Sequence, residues 1–232
     1  MALYVIATPI GNLKDITLRA IETFHKVDLL VCEDTRKTGI LLKMYADCGN
    51  TNDKRPKFMA LNSFNEDIQT PKILNILGQG KDVGLISNAG TPLISDPGYK
   101  LVKQAIEQGT EIIPIPGPSS ITTILSASGL PCDKFTFLGF VPKKENDIIK
   151  LLDKCYKNPL QTTYVAFISP YRIISTLKIF NNYSEDILIC LANDLTKLHE
   201  HIETKGVGNW IKFFELNKPR GEYTAVFMMN TK

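Results

Sequence analysis

Residues 87–98 read Ser-Asn-Ala-Gly-Thr-Pro-Leu-Ile-Ser-Asp-Pro-Gly. Just before them lies Asp82-Val83-Gly84-Leu85-Ile86, a short apolar run with strand character, and just after them Tyr99–Gln108 has helical character. Two glycines, two prolines and several small polar residues thus stand where a strand ends and a helix begins. In an open α/β sheet that edge is where ligands bind. Glycine lets backbone N–H groups approach a ligand closely, and proline fixes the loop.

The same strand–loop–helix unit recurs on both sides of this stretch. Leu3–Ala7 is an apolar strand followed by Thr8-Pro9-Ile10-Gly11-Asn12. Thr17–Lys26 is helical in period, Val27–Cys32 is a second strand ending in Glu33-Asp34-Thr35-Arg36, and Thr38–Tyr45 is helical. Asp47–Lys57 is polar and reads as a surface loop. Phe58–Leu61 is a short strand, Gln69–Gln79 a helix with Pro71 in its first turn, and Leu101–Gln108 a helix stopped by Gly109. Glu111–Ile115 is a further strand, running into Pro116-Gly117-Pro118-Ser119-Ser120.

Strict alternation of this kind predicts a mostly parallel sheet with helices on both faces. Right-handed crossovers place every strand-to-helix loop at one edge, so the loops at residues 9–12, 33–36, 87–98 and 116–120 are expected to converge. Past that point the pattern changes. Ser119–Ser128 is a small-residue helix; Asp147–Tyr156, Tyr171–Phe180 and Val207–Phe214 are helical. Phe135–Phe140, Thr162–Ile168, Ile187–Ala192, His199–Glu203 and Tyr223–Met229 read as strands, with hairpin and crossover links mixed. The expectation is an α/β protein of two domains: residues 1–117 with the parallel sheet, and 118–232 as a mixed α+β domain.

Bulk composition fits this. The chain has 232 residues, 44% of them hydrophobic and 22% charged, and a net charge of +3. A core of ordinary size is expected, and neither a disordered nor a strongly nucleic-acid-coating chain. Five cysteines (Cys32, Cys48, Cys132, Cys155 and Cys190) have no C-x-x-C pair and an odd count, which argues against disulfides and zinc. All except Cys48 have apolar neighbours and read as buried small hydrophobes. The apolar start Leu3–Ala7 is too short for a signal peptide or a membrane span, so a soluble cytoplasmic protein is expected, without metal.

No loop carries a phosphate-loop or dinucleotide fingerprint. Glu33-Asp34-Thr35-Arg36 places three charges after a strand at the predicted ligand edge, and Asp194-Leu195-Thr196-Lys197 follows a strand in the second half. Each has an ordinary reading, as a solvated turn and as a capped helix start. Tyr171-Arg172, Lys218-Pro219-Arg220, Lys54-Arg55-Pro56-Lys57 and Lys143-Lys144 read either as solvated faces or as contacts to phosphate.

Taken together, Leu3–Leu13, Glu33–Arg36, Ala89–Ile94 with Asp96-Pro97-Gly98, Pro116–Ser119, Gly139–Pro142, Leu195–Lys197 and Arg220–Glu222 resemble the ribosomal RNA small-subunit methyltransferase I family, within the tetrapyrrole methylase superfamily. The segments follow the family's order along nearly the whole chain. The resemblance implies a two-domain tetrapyrrole-methylase-like fold with S-adenosylmethionine in the cleft, and usually a homodimer. It implies 2′-O-methylation of a cytidine ribose in small-subunit ribosomal RNA. A tetrapyrrole or protein substrate is the alternative within the superfamily, and a non-catalytic RNA-binding assembly factor is the alternative outside enzymes.

The residues it implies for the cofactor are Pro9, Gly11, Asn88, Ala89, Gly90, Pro92, Leu93, Pro118, Ser119, Ser120, Leu195 and Thr196. Moving a methyl group from a sulfonium to a hydroxyl needs positioning and removal of a proton. The candidates for that chemistry are Glu33, Asp34 and Lys197, with Arg36 for a phosphate. The chain departs from the family at Asn88, where the family usually has Asp, and at Ile168, Tyr171, Asn193 and Asp194.

Overall fold

The computed structural model describes residues 1–46, 56–158, 160 and 162–229, so Cys48, Lys54, Arg55 and most of the expected 47–57 loop lie outside the described residues. Chain contacts divide it into two units, Met1–Ser119 and Ser120–Lys232.

The first unit alternates as expected: β1 (Ala2–Ile6), α1 (Leu18–Lys26), β2 (Leu29–Cys32), α2 (Thr35–Met44), β3 (Lys57–Ala60), α3 (Glu66–Gly78), β4 (Val83–Ile86), α4 (Tyr99–Glu107) and β5 (Glu111–Ile115). The strands form one sheet in the order β3-β2-β4-β1-β5, every pair parallel. Strand β1 lies between β4 and β5, with Leu3 opposite Val83 on one side and Ile112 on the other.

Alternate strand residues feed two cores, as the two-residue period of a strand requires. Leu3, Leu29, Val31, Val83 and Leu85 pack with Ile73, Leu77, Leu101 and Ala105 of α3 and α4. Tyr4, Ile6, Leu30, Cys32 and Ile86 pack with Ala20 and Phe24 of α1 on the other face. Burial on both faces explains why these strands read as unbroken apolar runs.

Two helices start earlier than the sequence predicts. Helix α2 begins at Thr35 because the Asp34 side chain accepts the Arg36 N–H at 2.9 Å. Helix α3 begins at Glu66, so Pro71 lies inside the helix rather than in its first turn, and Glu66 and Asp67 occupy the favourable acidic positions there.

The second unit holds α5 (Ser120–Ala127), β6 (Phe135–Phe140), α6 (Glu145–Tyr156), β7 (Thr163–Ile168), α7 (Ile173–Tyr183), β8 (Leu188–Asn193), β9 (His201–Gly206), α8 (Val207–Leu216) and β10 (Tyr223–Met228). Its sheet runs β6-β7-β10-β8-β9, with only β6 and β7 parallel. Tyr164, Ala166, Leu191, Tyr223, Ala225 and Phe227 point to the face covered by α6, α7 and α8, where Leu152, Leu177, Phe180, Trp210 and Phe214 complete the core. Helix α5 packs against β10, and the intervening Thr224 and Val226 alternate away from that core. The Thr204 hydroxyl of β9 donates to the Ser128 carbonyl just beyond α5.

Cys32, Cys155 and Cys190 are buried as expected, but Cys132 is exposed, on a turn that precedes β6 and lies outside the core. No helix among the described residues is long and apolar enough to cross a membrane.

Candidate functional site

The parallel sheet brings the carboxyl ends of its strands to one edge, and hydrogen bonds there tie the loops together. Thr8, two residues past β1, exchanges both backbone hydrogen bonds with Gly90 in the loop after β4, at 2.9 and 3.0 Å. The Thr8 hydroxyl donates to the Ser87 carbonyl, and the Ser87 hydroxyl donates back to Gly90 and Ala89 carbonyls. The Thr91 hydroxyl donates to the Pro118 carbonyl at 3.3 Å, which joins the loop after β5. The loop after β2 is joined by side chains: the Asn88 amide donates to Glu33 at 2.5 Å.

Close approach explains two glycines. At Gly90, φ is +80°, and a Cβ would stand 3.3 Å from Ile10. At Gly117 a Cβ would meet that of Ala7 at 3.0 Å. Leu93 and Ser95 hold positive φ values of 71° and 68° without being glycine. Such conformations cost about 1–3 kcal/mol each and persist where the surroundings impose them.

Pro9, Gly11, Asn88, Ala89, Gly90, Pro92, Leu93, Pro118 and Ser119 therefore all lie on the loops of this one edge. Asn88 and Ala89 are exposed there, whereas Pro9, Gly90 and Pro92 are buried beneath. Ser120, Leu195 and Thr196 belong to the second unit. Leu195 is buried, and the Thr196 N–H donates to Glu200.

The charged candidates differ in how they are held. Glu33 is half-buried and bonded by Asn88. Asp34 caps α2 and pairs with the exposed Arg36 guanidinium at 3.1 Å; that pairing lowers the Asp34 pKa below the ordinary value. Lys197, in the second unit, bonds Asp194 at 3.0 Å and Glu222 at 3.2 Å. Desolvation pulls its pKa down, but the two carboxylates outweigh this, and the ammonium form is favoured.

Three residues of the first-unit edge escaped the sequence reading. Asp96 is half-buried near Ser87 and Glu33; burial first, then the Glu33 charge, pushes its carboxyl up to about 6. It stands inside the 87–98 stretch, but nothing in its neighbours signals burial. Glu66 accepts the N–H groups of Gly98 and Lys100 at 3.0 and 3.1 Å, filling the N-terminus of α4 with a carboxylate from α3. Phe64 is 96% exposed on the loop after β3, held by the Asn62 side chain, which accepts its N–H. An aromatic residue amid Asn62-Ser63 and Asn65 was the available signal for it.

Arg172 is the reverse case. It was a candidate phosphate contact, and its guanidinium instead donates to the Val141 and Pro142 carbonyls, the shorter bond being 2.8 Å.

Comparison with known proteins agrees with this architecture. The family described as Tetrapyrrole (Corrin/Porphyrin) Methylases matches residues 2–209. A ribosomal RNA small subunit methyltransferase I of Thermotoga maritima is 40% identical over 226 residues, covering 97% of this chain and 96% of the relative. The protein of the same name in Haemophilus influenzae is also 40% identical, covering 97% of this chain and 77% of its own length. Among solved structures, a uroporphyrin-III C-methyltransferase of Thermus thermophilus superposes with a TM-score of 0.64 at 16% identity, over 97% of this chain and 93% of the other. The cobalamin biosynthetic enzyme cobalt precorrin-4 methyltransferase does so with 0.65 at 18% identity, over 97% and 94%. The family match spans most of the chain and the relatives agree with it along their length, so the chain belongs to the ribosomal RNA small subunit methyltransferase I family of the tetrapyrrole methylases.

Proposed function

We propose that the chain transfers a methyl group from S-adenosylmethionine to the 2′-hydroxyl of a cytidine in small-subunit ribosomal RNA. Membership of the family supports methyl transfer, and the names of the relatives point to the ribosomal substrate. The observation that carries the site assignment is the junction of four strand-end loops, with Glu33 fixed by Asn88 beside Asp96.

The residues at this edge fit the cofactor. A sulfonium is cationic, and Glu33 and Asp96 supply carboxylates. The methionine end needs close backbone approach, which the loop around Gly90 offers. When bound, S-adenosylmethionine supplies a methyl group already activated by positive sulfur. The chain's own residues then have to place the acceptor oxygen in line and take its proton. A carboxylate of the chain would take the hydroxyl proton as the acceptor oxygen gains the methyl group. Glu33 and Asp96 are suited to accept that proton, because neither is committed to a helix cap or an arginine as Asp34 is. Arg36 is 89% exposed at its side chain and is suited to a substrate phosphate next to Asp34. Lys197, held as an ammonium, suits an electrostatic role better than that of a base. Ser120, Leu195 and Thr196 are assigned to the cofactor by the resemblance alone.

Methyl-labelled S-adenosylmethionine, offered with either small ribosomal subunits or naked ribosomal RNA, tests this reading. Label is expected in one alkali-resistant internucleotide linkage, the mark of a blocked 2′-hydroxyl. Binding of the cofactor with no transfer to either RNA overturns it. Transfer to a tetrapyrrole or a protein instead moves the chain to the other branch of its superfamily.

A further inference from the structure

The second unit carries a pocket of about 360 Å³ at the end of α8, where β8 ends and β10 begins. It lies on the α6–α8 face of the sheet, since Leu191, Trp210, Phe214 and Tyr223 both line it and belong to that core. Its apolar wall is aromatic. The His201 ring stacks on Phe213 with centroids 5.7 Å apart and an interplanar angle of 15°, and Trp210 meets both edge-on. Phe214 and Tyr223 continue the wall. Lys218 and Arg220 also line it, both exposed and, among the described residues, without a carboxylate partner. The acidic member of the lining, Asp194, pairs at 3.0 Å with Lys197, which Glu222 shares.

The Lys205 ammonium lies 4.9 Å from the Trp210 and Phe213 ring centroids, so the ring cluster already accepts a cation. Aromatic rings beside Lys218 and Arg220 complement a flat base carrying phosphate, and the volume lies in the range of small-ligand pockets. We propose that this pocket receives one nucleotide of a single-stranded RNA, its base against the Phe213–His201 wall and its phosphate on Lys218 and Arg220. Stacking accepts any base, so the pocket contributes affinity and register rather than sequence choice. It rests on the RNA reading of the proposed function but requires no methyl transfer.

The test measures binding of a fluorescein-labelled ten-nucleotide single-stranded RNA to the full chain by anisotropy, over a range of salt. The double variant Lys218→Glu, Arg220→Glu reverses two exposed charges, and Lys72→Glu, Lys81→Glu reverses two exposed charges on the other unit as a control. The first is expected to weaken binding by roughly tenfold or more and to flatten the salt dependence by about one to one and a half in logarithmic slope. The control is expected to change affinity about twofold at most. Phe213→Leu keeps apolar volume but loses the stacking face, and should weaken binding about fivefold or more. Trp210 is the one tryptophan of the chain and lines the pocket, so its emission should also shift on adding unlabelled RNA. Equal affinities for the two double variants, or a Phe213→Leu protein that binds as the parent does, overturn the pocket even if methyl transfer proceeds. Failure of methyl transfer with this binding pattern intact counts against the proposed function alone.

Discussion

The Asn88 amide donates to the Glu33 carboxylate at 2.5 Å, joining two loops whose residues are 55 positions apart. Asn88 is also one of the positions where the resemblance read from the sequence implies Asp. An amide can donate to Glu33, whereas a carboxylate at the same distance faces a like charge unless a proton is shared. Asn88→Asp should therefore unfold at a lower temperature than the parent at about pH 8, and the gap should close near pH 4, where a shared proton is available. Thermal unfolding followed by circular dichroism at both pH values checks this. A variant that unfolds like the parent at both would show that Glu33 swings away freely.

Asp96 predicts a separate pH effect. Its carboxyl is held near 6 in the native state, chiefly by burial, against an ordinary value of 3.8. An acid with a raised native pKa favours its neutral form there, so its contribution to stability is complete below about 3.8 and is lost as pH rises through about 6. Asp96→Asn keeps the neutral shape at every pH. The variant should match the parent below about pH 4 and exceed it in melting temperature above about pH 6, while losing methyl-transfer rate if Asp96 takes the proton.

Glu66 holds the start of α4 from another helix. Removing its carboxylate leaves the Gly98 and Lys100 N–H groups without that acceptor. Glu66→Ala should cost about 1 kcal/mol, in the range of other helix-cap losses, and Glu66→Gln, which keeps an acceptor oxygen, should cost less. Urea denaturation of the two variants beside the parent measures the difference.

Gly98 has φ of +121°, and a Cβ there would stand 2.8 Å from Leu85 Cδ2. Gly98→Ala should destabilise by about 1–3 kcal/mol through backbone strain alone, with the overlap onto Leu85 adding to it. Leu85→Val removes buried volume of its own but relieves part of the overlap, so the double variant should be less destabilised than the sum of the two single changes.

Much of the fold was legible because the inner strands of the first sheet are buried on both faces. Leu29–Cys32 and Val83–Ile86 are wholly buried and read as continuous apolar strands between helical periods. Convergence of the loops followed from parallel order alone. Less legible was anything set by a side chain reaching across the sequence. The start of α3 was misplaced because Pro71 resembles a first-turn proline, while the Asn65 carbonyl already accepts the Ile68 and Gln69 N–H groups. The Glu33–Asn88 bond and the burial of Asp96 need the tertiary structure, since no local pattern reports a neighbour from a distant loop. Cys132 has apolar neighbours in sequence yet lies outside the core, because its turn does.

The place of β1 in the sheet has a consequence for how the protein is made. It pairs with β4 and β5 and with no earlier strand. During synthesis, its apolar residues emerge before those of the sheet's other strands and wait for partners that begin at Val83. At ordinary elongation rates that gap of roughly 80 residues lasts about 4–16 s. For that interval an interior strand of the first unit's sheet is an unpaired template. A nascent-chain binding factor has longer to act on Leu3–Ile6 than on any later strand of this sheet.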